Sequence, residues 1–102
     1  MTVTVQVLYP TGDGVTFDMD YYTGTHLPMV GEHWGPHMAD GLITRGVASG
    51  DGGAPDFHAI ATVVFADQAA MDAAMAAAGP LLEDIPNFYG AKPVILVGSK
   101  IG

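Results

Sequence analysis

The sequence has no cysteine and only three basic side chains, Arg45, Lys92 and Lys100. Without thiols it forms no disulfide, thiolate nucleophile, iron–sulfur cluster or thiolate zinc site. Eleven acidic residues against those three bases give a formal charge of −8, and no basic stripe exists to neutralise phosphates or anionic lipid heads. This argues against nucleic acid and membrane surfaces as partners. No apolar run approaches the roughly 18 residues of a spanning helix, and the opening MTVTVQVLYP lacks the basic and continuous apolar regions of a secretory signal. A cytoplasmic protein is expected.

What is present is apolar. Hydrophobic residues make up 49% of the 102 positions and charged ones 14%, a balance that suits a compact single domain over residues 1–102 and does not suit disorder. So small a body cannot bury that share within one chain, so part of it should face a partner subunit or a ligand.

Residues 2–9, TVTVQVLY, alternate with Val3, Val5, Val7 and Tyr9 on one face, the period of a strand. PTGDG then turns the chain, and Asp18 is placed to cap a helix beginning near Met19. Pro28 lacks an amide hydrogen and its ring crowds the preceding turn, which predicts a kink or break at His26 and Leu27 and a second segment from Pro28 to about Trp34. Residues 41–49 and 57–66 read as two strands joined by the Gly-rich SGDGGAPD. Asp67 caps an Ala-rich helix that Gly79 and Pro80 stop. PLLEDI makes a short turn, and 93–99, PVILVGS, closes as a fourth strand.

The order strand, helix, strand, strand, helix, strand predicts an α+β fold of ferredoxin-like type. In this βαββαβ plan a four-stranded antiparallel sheet carries its helices on one face. Whichever parity of the third and fourth strands faces the helices, the other remains apolar, through Ile60 and Val64 or Val63 and Phe65, and Val94 and Leu96 or Ile95 and Val97. An apolar patch beyond roughly 300 to 600 Å² is unusual on a monomer. Two sheets packed face to face would cover it, which predicts a homodimer.

The segment YYTGTHLPM, with Tyr22, His26 and Pro28 in a Y-x-x-x-H-x-P pattern, and the closing IPNFYGAKPVILVGS resemble the EthD family of dimeric α+β barrel proteins over essentially the whole chain. The resemblance implies a ferredoxin-like monomer whose sheet packs on that of a second subunit. It also implies a small-molecule cleft between helices and sheet, with His26 lining it. Members are associated with catabolic operons, as in ethyl tert-butyl ether degradation, and fungal relatives look like polyketide dehydratases. Some are labelled reductases, yet no nicotinamide or flavin fingerprint stands in this sequence. Gly24 and Gly31 inside the helical segments depart from a regular helix.

Tyr22 and His26, four apart, share one helix face that Val30 and Trp34 would continue. One reading makes His26 a general acid/base with Tyr22 orienting it or donating to a substrate oxygen. The other has His26 fill the groove at the helix break and satisfy a carbonyl freed by Pro28. Met29, Trp34, Phe65, Met71 and Met75 are core residues individually, and together could line a cleft for an apolar or aromatic guest. His33 and His37 also stand four apart, but Gly35 and Pro36 interrupt the turn a zinc pair needs, so no metal is expected. His58 reads as a half-buried sheet histidine, and Glu83 with Asp84 as helix-end capping and solvation.

The leading functional expectation is a cofactor-free enzyme that transfers a proton through His26 on a small apolar oxygenated substrate, in a dehydration, isomerisation or oxygenation. The rival is a non-catalytic binding protein serving a separate oxidase. A third reading, haem binding by His26, lacks basic residues near the cleft to meet the propionates.

Overall fold

A computed structural model describes residues 1–102. The strands are β1 (Val3–Pro10), β2 (Asp40–Arg45), β3 (Phe57–Phe65) and β4 (Val94–Ser99). They form one antiparallel sheet in the order β2-β3-β1-β4. The helices α1 (Met19–Tyr21) and α2 (Leu27–Trp34) lie between β1 and β2, and α3 (Gln68–Ala76) and α4 (Gly79–Asp84) between β3 and β4. This is the ferredoxin-like βαββαβ plan expected from the order of the elements.

The alternation of β1 sets the faces of the sheet. Val5 stands opposite Val63 on one side and Val97 on the other, so these three share the helix-covered face, while Leu8, Ile60 and Val94 share the open one. On the covered face Val3, Val5, Val63 and Phe65 pack against Trp34, Met71, Ala74 and Leu81. A second cluster, rich in aromatics, gathers Tyr9, Tyr22, Phe88 and Tyr89 at one end of the sheet. No helix covers the opposite face, where Leu42 and Leu96 remain 65% and 55% exposed.

Both predicted caps form. The Asp18 carboxylate accepts from the Tyr21 amide at 3.1 Å, and that of Asp67 from Ala70 at 2.8 Å. β2 stops at Arg45, short of the expected 49. At Gly46 the chain passes so close to β3 that any Cβ would collide with the Phe57 carbonyl oxygen, and beyond it the chain leaves the sheet. PLLEDI is part of a helix: Pro80 opens α4 in its first turn, where a missing amide hydrogen costs nothing, and Ile85–Asn87 continues it as a 3₁₀ turn.

Where a kink or break is expected, at His26 and Leu27, the helix is disturbed but not broken. Between α1 and α2 the backbone widens into a five-residue π-helical stretch, Tyr22–His26, and the Leu27 amide reaches back five residues to the Tyr22 carbonyl. The wider turn accommodates Pro28 without interrupting the helix path.

Candidate functional site

An apolar cleft lies between the helices and the covered face of the sheet and opens to solvent. Its walls come from Val5, Val7 and Val63 of the sheet, and Val30, Leu81 and Leu82 of the helices, among others. Tyr22, His26, Val30 and Trp34, the face read from their spacing, all line it, and His26 is the one lining residue that is not hydrophobic. The rings of Tyr22 and His26 stack at 5.7 Å with 17° between their planes, and Phe88 lies 4.5 Å from the imidazole.

His26 is 4% exposed and does not satisfy a carbonyl freed by Pro28. Its Nδ1 lies 2.9 Å from Oδ2 of Asp84, itself 8% exposed. The other carboxylate oxygen of Asp84 accepts from the Tyr21 hydroxyl at 2.6 Å and the Asn87 amide at 3.0 Å. Burial pushes the Asp84 carboxyl up, but hydrogen bonds from Tyr21, His26 and Asn87 outweigh it and hold the group below the usual carboxylate range. An ionised Asp84 only accepts, so Nδ1 of His26 carries the proton and a neutral ring keeps its lone pair on Nε2. Nε2 has no protein partner, and unlike Nε2 of His58 it is not sealed from solvent.

Tyr22 is 1% exposed and its hydroxyl is buried without a hydrogen-bond partner. Burial pushes its pKa up to about 12, so the phenol stays protonated and able to donate. Like Nε2 of His58, the hydroxyl is sealed from solvent, so its missing hydrogen bond is an uncompensated cost of burial that a suitably placed acceptor would relieve.

Of the other residues expected at the site, Trp34 and Met75 line the cleft. Phe65 and Met71 are buried in the core behind it, and Met29 packs against that core; none of the three reaches the lining. They occupy positions where the apolar pattern is equally satisfied by filling the space between helix and sheet. Trp34 is anchored by its indole N–H, which donates to the Ala74 carbonyl at 2.9 Å. His58 stacks on Phe17 at 5.3 Å, and no three His, Asp or Glu side chains converge as a metal cage.

Asp84, expected to solvate a helix end, is instead buried behind His26. Its partner is 58 positions away, which no local pattern reveals. One signal was present: Leu81, Leu82 and Ile85 flank the carboxylate, and Asn87 follows three residues on, where a helix brings it onto the same face.

The EthD domain family matches residues 15–92. An EthD-like protein from Ralstonia eutropha JMP134 is 31% identical, with 99% of this chain aligned to 93% of that one at a TM-score of 0.86. SnoaB, a cofactor-independent oxygenase from Streptomyces nogalater, was solved as a point mutant. It is 13% identical over 99% of this chain and 93% of its own, at 0.67. A dimeric ferredoxin-like protein of unknown function from Thermobifida fusca YX is 13% identical over 98% and 92%, at 0.66. The last two likenesses are of fold. No curated protein matches the chain.

Proposed function

The chain belongs to the EthD domain family, and on that premise we propose that it is a cofactor-free enzyme whose cleft holds a small apolar oxygenated substrate against His26. Nε2 of His26 removes a proton from the bound molecule. Asp84 keeps Nδ1–H in place and stabilises the imidazolium that forms, and the Tyr22 hydroxyl donates to the substrate oxygen on which charge develops. This chemistry serves a dehydration, in which the imidazolium returns the proton to the departing hydroxyl, an isomerisation, or an oxygenation in which the deprotonated substrate is oxidised by dioxygen as co-substrate. The fold is one on which SnoaB, a cofactor-independent oxygenase, is built.

The observation that carries this reading is the pairing of His26 with Asp84 at 2.9 Å beside an otherwise apolar cleft. A carboxylate behind a histidine fixes its tautomer and leaves the other nitrogen's lone pair free to take a proton.

The reading includes a homodimer. Leu42, Val94 and Leu96 stand exposed on the open sheet face beside Leu8 and Ile60, and a second copy packed sheet to sheet would cover them. The Thermobifida fusca protein of this fold is described as dimeric. No helix is long and apolar enough to cross a membrane. The reading assigns the protein to the cytoplasm.

Native mass spectrometry of protein purified from its own cells should find a retained small molecule. With that molecule at saturation, His26→Gln should keep its affinity and lose turnover by on the order of a hundredfold or more. Binding without turnover in the unaltered protein would assign the cleft to a carrier for a separate oxidase.

A further inference from the structure

Arg45 is the only arginine of a chain carrying a formal charge of −8, and no carboxylate holds it. The one ion pair in the structure joins His26 and Asp84, and the guanidinium takes part in no side-chain hydrogen bond. Arg45 is exposed, so its guanidinium is solvated and free to meet an anion.

Its position is specific. Arg45 stands opposite Ala59 in the register of β2 and β3, and Ala59 is buried on the helix-covered face, so Arg45 belongs to that face and not to the open one. There, contrary to the expectation that no basic residue stands near the cleft, it lines a recess with Met19, Thr23, Tyr22, Leu27 and Ile43. The last three of these also line the apolar cleft. Recess and cleft are therefore neighbours with a shared wall, to which Tyr22, whose buried hydroxyl has no partner, belongs.

Resting on the reading of the cleft as a substrate site, we propose that its substrate is an apolar or aromatic molecule bearing a carboxylate, whose acid group is held by Arg45 at the recess while its body lies in the cleft beside His26. A planar guanidinium meets a carboxylate with two parallel hydrogen bonds, a match neither an amide nor a hydroxyl reproduces. The surrounding negative charge repels anions, so without a local cation an acidic substrate would be rejected; Arg45 reverses the preference at one end of the site.

The test compares 2-naphthoate with 2-naphthamide, which share shape and differ in charge, titrated into the full-length protein and followed by ¹⁵N NMR at the Leu27 amide and the Trp34 indole. The unaltered protein should bind the acid about tenfold more tightly than the amide. Arg45→Gln should abolish that preference without changing affinity for the amide, and Arg45→Lys should restore part of it. Cleft signals that respond equally to both compounds, or a preference that survives in Arg45→Gln, would overturn the proposal and leave the cleft reading intact. If neither compound moves the cleft signals, the cleft reading falls and this inference with it.

Discussion

Nδ1 of His26 and Oδ2 of Asp84 lie 2.9 Å apart on side chains separated by 58 positions, both nearly sealed from solvent. The contact joins the π-helical stretch that follows β1 to the end of α4, two helical segments from opposite halves of the chain. It fixes which imidazole nitrogen is free.

Asp84→Asn preserves size and leaves a neutral amide that can either accept from Nδ1 or donate to it. Long-range ¹H–¹⁵N NMR at about pH 8, where an ordinary imidazole is neutral, should show His26 as the Nδ1–H tautomer in the unaltered protein and a growing share of Nε2–H in the variant. Turnover of the retained substrate should drop by roughly 10² to 10⁴. An unchanged tautomer would remove Asp84 from the mechanism.

Acid should weaken the fold through the same carboxylate. Asp84 has a folded-state pKa held below its ordinary 3.8, so its contribution is complete above that value and is lost as pH falls through the folded pKa. Urea melts at pH 6 and pH 3 should show a stability gap between the unaltered protein and Asp84→Asn that narrows or closes at pH 3. A gap that widens in acid would contradict the sign of the linkage.

Tyr22→Phe removes a buried hydroxyl that bonds to nothing within the protein, while the ring keeps its stacking on His26. The variant should be as stable as the original or more so, by up to about 1 kcal/mol in urea denaturation. Its affinity for the retained ligand should weaken. Opposite movements of stability and binding are what a hydroxyl reserved for a ligand predicts; a loss of stability would mean that it is satisfied within the fold.

Leu96→Asp places a charge in the centre of the exposed patch on β4. Sedimentation should find the unaltered protein as a dimer at micromolar concentration and the variant as a folded monomer. An unaltered protein that stays monomeric would show that the open face needs no second copy.

Much of the architecture was legible before any coordinates, because it follows from local periodicity. Period-two alternation gave β1 its two faces, the Asp18 and Asp67 caps marked helix starts, and four-residue spacing put Tyr22, His26, Val30 and Trp34 on one stripe. Local rules failed where two outcomes are equally cheap locally. Pro28 predicts a disturbed helix but not its form, and a π-turn relieves the ring clash without giving up the helix path. Met29, Phe65 and Met71 have the composition of a pocket wall, yet whether an apolar side chain lines a cleft or fills the layer behind it depends on how helices settle on the sheet.

The sequence by itself determined the order and faces of the elements, the absence of thiol chemistry and the stripe on which His26 stands, since each depends on residues a few positions apart. Tertiary structure alone decided that Asp84 stands behind His26, that the Tyr22 hydroxyl is left unpaired, and that Arg45 lines a recess walled by Tyr22. Those are meetings of distant segments, and a carboxylate or a cation acquires its role from the dielectric and the partners that folding brings to it.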